Sequence, residues 1–116
     1  LDGDGRSIAT FTPSKEFQGF AKILHGGIIC TLLDEAMAWA IILHGHLGAT
    51  ASMKVKFRKP VPIGKQVTVT GEILNQGARS WALASYISDE QGYVLAEAEG
   101  VFAAVSEIPS RKPGPL

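Results

Sequence analysis

The longest apolar stretch of the sequence, residues 28–43, limits what this chain can fold into. Thirteen of its 16 residues are apolar, the exceptions being Thr31, Asp34 and Glu35. Its length, its content of Ala, Leu and Met and its lack of proline favour a helix over a strand. A bilayer-spanning helix needs about 20 residues and tolerates charges poorly, so membrane insertion is disfavoured. A helix that is apolar on nearly every side must instead be wrapped by something else.

After this helix, apolar and polar residues alternate, which is typical of half-buried strands. Gly45 and Gly48 are expected to end the helix. In residues 50–58 every second position is apolar, which predicts one face directed at the core. The apolar positions are Ala51, Met53, Val55 and Phe57. The same kind of pattern predicts four further strands, at residues 7–12, 66–74, 80–88 and 93–105.

Short turns connect these strands, so strands that follow one another are expected to pair antiparallel. Turns are predicted at residues 60–64, 75–77 and 89–92. A sheet with one apolar face can bury the helix by curling around it, so the expected fold class is α+β, with a long central helix and about five antiparallel strands. One domain is expected over residues 1–108 of the 116, followed by a flexible, proline-rich tail at residues 109–116.

Charge and cysteine content exclude several classes of function. Eleven Lys and Arg residues balance 11 Asp and Glu residues, so a nucleic-acid-binding surface is not expected. The single cysteine, Cys30, excludes an internal disulfide, and no base is placed to activate it as a nucleophile. His44 and His46 have no third ligand nearby, so we expect them to stabilise the helix C-terminus rather than to bind a metal. Nothing in the sequence resembles a signal peptide, and we expect a cytoplasmic protein without a cofactor.

The segment His25-Gly26-Gly27 stands directly before the apolar helix. Two glycines allow a substrate to approach the backbone closely, and the first N–H groups of a helix have no acceptor within the helix. Together with the helix dipole, these groups favour a carbonyl oxygen that gains negative charge. The same residues are compatible with an ordinary loop turn whose histidine is satisfied by a nearby carbonyl. The pattern alone leaves both interpretations open.

Two carboxylates interrupt the helix. Thr31, Asp34, Glu35 and Ala38 share one stripe of its surface. This stripe either faces water, or it carries the two carboxylates because they have a role in function. The apolar flanks predict that little of the helix is exposed, and burying an unpaired carboxylate costs several kcal/mol. A functional role for Asp34 is therefore favoured, and Glu35 is the more expendable of the two.

The spacing of these two features predicts a homodimer. Asp34 follows His25 by nine residues, which in a helix is about two and a half turns, so the two lie on opposite sides and roughly 13 Å apart along the axis. The two groups therefore cannot meet within one chain. If they act together, two chains supply them, and a symmetric dimer contains a pair of sites across its interface.

The run from His25 to Glu35, HGGIICTLLDE, resembles the hotdog-fold acyl-CoA thioesterases, in particular their phenylacetate-pathway (PaaI) and THEM-type branch. The segments FQGF (residues 17–20) and FRKPVPIG (residues 57–64) fit the same pattern, and the likeness spans about residues 7–105. The resemblance implies a sheet that encloses the helix, and dimers with two sheets side by side that often pair again into tetramers. It also implies hydrolysis of an acyl-CoA thioester to a carboxylic acid and CoA.

This resemblance assigns roles to particular residues. It implies that Asp34 is the nucleophile or general base, that the Gly26 N–H of the partner chain polarises the thioester carbonyl, and that His25 lies near that carbonyl. Thr50 matches the Ser or Thr that helps to place the water beside the acid. Some relatives carry Asn or Gln about six residues before the histidine, where this chain has Gly19.

Further residues are expected to contact the substrate. Gln18 is a candidate for the missing amide contact, and Gly27 lies next to the carbonyl site. CoA carries phosphates, and each candidate cation for them is, taken alone, better explained as an ordinary solvated charge. The candidate cations are Arg58, Lys59 and Arg79. The large apolar residues are expected in the core rather than along an acyl channel. These are Met37, Trp39, Met53 and Phe57.

Two other classes are compatible with parts of the sequence. A serine hydrolase also uses a His-Gly-Gly segment in its oxyanion loop. However, the chain is short and lacks the Gly-x-Ser-x-Gly elbow, to which residues 5–9 come nearest. A non-catalytic acyl-CoA- or fatty-acyl-binding module on the same fold is the serious alternative, and the acid at position 34 argues against it.

Overall fold

The computed structural model describes residues 5–20 and 22–105. The elements in these residues are β1 (Ser7–Phe11), a 3₁₀ turn (Lys15–Phe17), β2 (Gln18–Phe20), β3 (Ile23–Leu24), α1 (Gly26–Leu43), β4 (Leu47–Phe57), β5 (Val67–Gln76), β6 (Ser80–Ser88) and β7 (Val94–Val105). One antiparallel sheet has the strand order β1-β5-β6-β7-β4, and β2 pairs with β3 in a short hairpin. The predicted tail, residues 109–116, lies outside the described residues.

The α+β class and the antiparallel sheet of five strands are confirmed. The boundaries of β6 agree with the sequence prediction, whereas β4 begins three residues earlier than predicted, at Leu47, where it already pairs with β7. β5 continues to Gln76, so the turn predicted at residues 75–77 occupies residues 77–79 instead. The sequence interpretation misses the β2–β3 hairpin, because strands of three and two residues are too short to show alternation.

The helix begins two residues earlier than predicted, because His25 caps it. The His25 imidazole Nδ1 accepts a hydrogen bond of 2.8 Å from the Gly27 N–H, and its backbone carbonyl accepts bonds from Ile28 and Ile29. The bonds from Gly27 and Ile28 satisfy two of the N–H groups that a helix start otherwise leaves without an acceptor, and the bond from Ile29 is the first regular bond of the helix. Both glycines therefore belong to the helix rather than to a loop before it.

A second histidine, His44, caps the other end of α1. The His44 Nδ1 lies 2.8 Å from the Ala40 carbonyl oxygen, so His44 stabilises the helix C-terminus as predicted. Gly45 follows with a φ of +85°, a conformation that glycine adopts without strain. His46 differs from the prediction, because its ring contacts Trp81 of β6 instead, with the ring centroids 5.2 Å apart.

One face of α1 packs across the sheet and forms the core. The helix contacts β1, β4, β5, β6 and β7, and its apolar side chains on this face meet those that the strands direct inward. The buried helix residues are Ile29, Leu33, Ala36, Met37, Ala40 and Ile41. The large buried residues of the strands are Val67, Val69, Trp81, Leu83, Ile87, Leu95 and Phe102.

The helix comes very close to the sheet at Gly71 of β5. A Cβ atom on Gly71 would lie 2.1 Å from the Ala36 carbonyl oxygen, so only glycine fits. The same oxygen accepts a hydrogen bond of 2.7 Å from the buried Ser7 hydroxyl of β1. Because Ser7 and Gly71 pair in register, one helix carbonyl is held by two neighbouring strands.

Contrary to the prediction that little of the helix is exposed, the described residues of one chain cover only part of it. Six of its 18 residues are buried, and Trp39, which was expected in the core, is 50% exposed. Phe57, also expected in the core, is 58% exposed, whereas Met37 is buried and Met53 is half-buried. A single layer of strands covers one face of a helix, so the opposite face of α1 has no cover from the described residues.

By length and composition α1 is apolar enough to cross a membrane, with a mean hydropathy of 1.7 over 18 residues. The core helix of a sheet passes the same test, and α1 does pack across a sheet. It also carries two carboxylates, Asp34 and Glu35. These observations favour a core helix, and the absence of membrane insertion stays a prediction.

Replacing Gly71 by alanine is expected to lower the free energy of unfolding by about 3 kcal/mol or more, because the new methyl group would overlap the Ala36 carbonyl oxygen. Urea denaturation measures this change. Ala103→Val, which enlarges an exposed side chain of β7, is the control and should shift the same quantity by less than about 0.5 kcal/mol. A Gly71→Ala protein as stable as the unchanged protein would contradict this packing.

Candidate active site

Asp34 of α1 and Thr50 of β4 are in direct contact. The Thr50 hydroxyl donates a hydrogen bond to the Asp34 carboxylate oxygen Oδ1, with the two oxygens 2.7 Å apart. Asp34 is half-buried and Thr50 is exposed, so a ligand can reach the pair from solvent. A carboxylate held in this way can take a proton from water or attack an electrophilic carbon. The structure thus brings together two residues that the resemblance assigned to one site.

A β-bulge sets the position of Thr50. The pairing of β4 with β7 shifts register between Thr50 and Ser52, and Ala51 has no partner there. The alternation predicted for residues 50–58 therefore does not extend back to Ala51, which is exposed rather than directed at the core. Bulges bend a strand and change the direction of nearby side chains, and they are frequent next to active sites.

The segment His25-Gly26-Gly27 forms the start of α1. The Gly27 N–H already donates to the His25 Nδ1, so it is not free for a substrate. Because Nδ1 accepts this bond, the neutral imidazole carries its proton on Nε2. The Gly26 N–H has no acceptor among the described residues and lies at the positive end of the helix dipole. Gly26 therefore provides the available donor of this segment.

The Gly26 amide and the Asp34–Thr50 pair do not meet within one chain. Gly26 and Asp34 are eight residues apart in one unbroken helix, which places them about 12 Å apart along its axis. A single thioester carbonyl cannot reach both. The separation predicted from the sequence therefore holds in the structure.

Gly19 lies against the histidine cap. A Cβ atom on Gly19 would be 3.0 Å from the His25 Cα, and the His25 N–H donates a bond of 2.9 Å to the Phe17 carbonyl. The position at which some relatives carry an amide side chain therefore has little room for one here. Gln18, the residue next to it, is exposed and pairs with Leu24 in the β2–β3 hairpin.

The three predicted cations do not form one cluster. Arg58 makes an ion pair with Glu97 of β7, and the hydrogen bond from this guanidinium holds the pKa of the Glu97 carboxyl below its ordinary value. The Lys59 ammonium lies 4.8 Å from the centre of the Tyr93 ring. Arg79 lies in the β5–β6 turn, at the opposite end of the sheet from Arg58 and Lys59.

Phe57 lies next to the candidate site, and the sequence interpretation wrongly expected it in the core. A Cβ atom on Gly26 would lie 3.8 Å from the Cε1 and Cζ atoms of the Phe57 ring. The alternation of β4 directs Phe57 toward the face of the sheet on which the helix lies. However, Phe57 is the last residue of the strand, so it lies beside the first residue of α1 and not beneath the middle of the helix. In the sequence, the proline-rich turn at residues 60–64 follows Phe57 closely. This closeness is the signal that Phe57 lies at the edge of the core.

A cavity of about 350 Å³ opens on the other side of α1, between the helix and β1. Its lining includes Ile8, Phe11, Leu32, Glu35, Trp39 and Leu43. Because β1 and β4 are opposite edges of the sheet, the helix separates this cavity from Asp34 and Thr50. Within residues 5–20 and 22–105, no group of three or more His, Cys, Asp or Glu residues could hold a metal ion.

A family model described as "Thioesterase superfamily" matches residues 21–96, which is more than half of the chain. The chain belongs to the thioesterase superfamily. The match includes the His25-Gly26-Gly27 segment, Asp34 and Thr50. One curated superfamily relative, acyl-coenzyme A thioesterase 13 of Homo sapiens, is 27% identical over 75 residues, which cover 63% of this chain and 54% of the relative. The chain spans between 40% and 62% of the length of the first curated relatives.

Solved structures show the hotdog fold of this superfamily. The PaaI protein of E. coli superposes with a TM-score of 0.82 at 23% identity, over 87% of this chain and 73% of that protein. A thioesterase of Streptococcus pneumoniae, solved with coenzyme A, has a TM-score of 0.85 at 21% identity, over 91% of this chain and 86% of its own. The resemblance to the PaaI and THEM-type branch is therefore confirmed.

Replacing Gly19 by asparagine is expected to destabilise the start of α1, because the added Cβ would press on the His25 backbone. We expect a loss of about 1–2 kcal/mol in the free energy of unfolding, together with faster hydrogen exchange of the Gly27 amide. Urea denaturation and NMR hydrogen exchange measure the two effects. Gln18→Asn, at the exposed neighbouring position, is the control. Unchanged stability and exchange in Gly19→Asn would show that the site has room for an amide.

Proposed function

We propose that this chain is an acyl-CoA thioesterase, which hydrolyses the thioester of an acyl-CoA to a free carboxylic acid and CoA. The observation that carries the proposal is the 2.7 Å hydrogen bond between Thr50 and Asp34 in a chain of the thioesterase superfamily. The bond fixes the orientation of the carboxylate, and a fixed acid lowers the entropic part of the reaction barrier.

In the proposed reaction, Asp34 accepts a proton from a water molecule while the oxygen of that water attacks the thioester carbonyl carbon. The Thr50 hydroxyl donates its hydrogen bond to Oδ1 of Asp34. The other carboxylate oxygen, Oδ2, is therefore available to the water. The negative charge that develops on the carbonyl oxygen is stabilised by the N–H of Gly26 of the partner subunit and by the dipole of that subunit's helix. The C–S bond then breaks, and the CoA thiolate takes up the proton from Asp34.

A second route uses the same contacts. Asp34 attacks the carbonyl carbon directly, and the C–S bond breaks so that CoA leaves as the thiolate. Water then hydrolyses the resulting anhydride to the carboxylic acid and protonated Asp34, whose proton passes to the thiolate. In both routes the protonated Nε2 of His25 is a further donor near the carbonyl oxygen. Neither route requires a cofactor.

The free edge of β4 supports a dimer in which these groups meet. β4 is an edge strand of 11 residues, and no described strand pairs with its outer side. When two such edges pair antiparallel about a two-fold axis, the end of one strand lies opposite the start of the other. Phe57, at the end, lies beside Gly26, and Thr50, near the start, binds Asp34. The contact would therefore bring Gly26 of one protomer toward the acid of its partner.

The names of similar proteins support the substrate class. The human relative is named an acyl-coenzyme A thioesterase, the S. pneumoniae structure holds coenzyme A, and a Streptococcus mutans structure of this fold holds acetyl CoA. Two variants of the S. pneumoniae protein carry alanine in place of an aspartate and of a threonine 16 positions further on. Asp34 and Thr50 have the same spacing of 16.

Further parts of the proposal concern binding and assembly. Arg58 and Lys59 lie at the same end of the sheet as Gly26 and are proposed to attract the phosphates of CoA, and Arg79 can join them only from the partner protomer. The uncovered face of α1 is available for the pairing of dimers into a homotetramer. A cytoplasmic location fits the unpaired thiol of Cys30.

A non-catalytic acyl-CoA-binding module is the second candidate. Gly19 favours it, because the amide contact that some relatives make at this position is missing. The contact between Thr50 and Asp34 favours catalysis, since binding alone needs no oriented acid. Removing the acid distinguishes the two.

Asp34→Asn is expected to lower turnover by about 100-fold or more, because a carboxamide neither takes a proton nor attacks a carbonyl. Thiol release from short, long and aromatic acyl-CoAs measures turnover, and circular dichroism checks the fold. Glu35→Gln, the exposed neighbouring carboxylate, is the matched control and should keep at least about half of the activity. A folded Asp34→Asn protein with full turnover would contradict the proposed role, and no turnover in the unchanged protein would favour a binding module.

Gly26→Pro tests the proposed amide donor. Proline is well tolerated at the first position of a helix but has no N–H, and His25 already has the extended backbone that precedes proline, with φ −60° and ψ 135°. We expect turnover to fall by about 100-fold. Gly26→Ala keeps the N–H and places its Cβ in ordinary contact with Phe57, so it should stay within about threefold of the unchanged protein.

Mixing the two inactive proteins tests whether the sites are shared. After subunit exchange, a dimer of one Asp34→Asn chain and one Gly26→Pro chain has one complete site and one site lacking both groups. With random pairing, about one quarter of the activity of the unchanged protein should return. If each chain holds a complete site of its own, mixing restores nothing.

A further inference from the structure

Phe57 places an exposed aromatic ring at the start of α1. It is the last residue of β4 and is 58% exposed, although the preceding positions on the same side of the strand, Met53 and Val55, are half-buried. Large apolar side chains left exposed in one chain commonly mark a surface that something else covers. The question for Phe57 is which group covers it.

The ring lies next to the free Gly26 amide. Its Cε1 and Cζ atoms would be 3.8 Å from a Cβ atom built on Gly26, which is ordinary van der Waals distance. A thioester whose carbonyl oxygen accepts the Gly26 N–H therefore brings the groups bonded to its carbonyl carbon into reach of the ring. These groups are the sulfur of CoA on one side and the first carbons of the acyl chain on the other.

Chemistry favours the acyl chain as the group against the ring. An exposed ring gains free energy when apolar surface displaces water from it. The CoA arm interrupts its short methylene segments with amides, whereas an acyl chain is apolar along its whole length. The two cations that follow Phe57 in the sequence, which are proposed to attract the phosphates of CoA, contact other side chains and not the Phe57 ring. Arg58 pairs with Glu97, and Lys59 lies over Tyr93.

We propose that Phe57 is a specificity-determining residue, whose ring contacts the acyl chain beside the carbonyl and favours longer apolar acyl groups over acetyl. This inference rests on the proposed function, because it needs the thioester carbonyl at Gly26. Phe57 acts on the choice of substrate and takes no part in proton transfer or attack.

The test compares acetyl-, hexanoyl- and decanoyl-CoA as substrates of Phe57→Ala and Phe57→Leu. We expect kcat/KM of Phe57→Ala to fall about 10-fold or more for the two longer substrates and less than about threefold for acetyl-CoA. Phe57→Leu keeps an apolar side chain and should retain most of the preference. Leu74→Ala, which shortens a side chain that is 55% exposed on β5, is the control and should change none of the three values.

An equal loss for all three substrates, or no loss, would overturn the inference. If Phe57→Ala fails to fold, Phe57→Leu still decides, because it should lose more with decanoyl-CoA than with acetyl-CoA. Binding of the same acyl-CoAs to Asp34→Asn protein, with and without the Phe57 change, separates this inference from the proposed reaction. If the unchanged protein hydrolyses none of them, the proposed function fails. The chain-length dependence of binding then decides the role of Phe57.

Discussion

The position of α1 on the sheet depends on one helix carbonyl. The Ala36 oxygen lies against Gly71 and accepts the Ser7 hydroxyl bond, so the helix meets backbone and not an adjustable side chain at this point. A shift along the sheet would break the bond, and a larger residue would lift the helix. The fixed crossing places Asp34, two residues before Ala36, beside the edge strand β4. It places Gly26 beside the end of the same strand.

The periodic parts of the fold are predictable from the sequence, and the coverage of the helix is not. Long alternating segments identify the five sheet strands to within three residues, because burial on one face imposes a period of two. The same pattern does not tell how many layers cover a helix. Trp39 and Phe57 were expected in the core because they are apolar, yet one sheet covers one helix face and leaves both exposed.

The candidate site also has a part that the sequence predicts and a part that it does not. Asp34 and the His25-Gly26-Gly27 segment can be found from the sequence, because they interrupt or flank a regular apolar helix. Thr50 lies in β4 and is indicated only by the resemblance to the thioesterase family. The pairing of Arg58 with Glu97 joins residues 39 positions apart through a strand register that no local pattern contains. The contact of Gly19 with His25 likewise depends on a hairpin too short to predict.

The open edge of β4 is a liability as well as the proposed interface. β4 is an edge strand of 11 residues whose outer side has no partner among the described strands. Such an edge is a template on which other chains can add strands, and natural proteins place lysines along it to discourage this. β4 carries Lys54 and Lys56, both exposed. If the symmetric contact is what satisfies this edge, protection from aggregation and assembly of the catalytic groups share one event. Dilution below the dissociation constant would then abolish the proposed activity while each protomer is still folded.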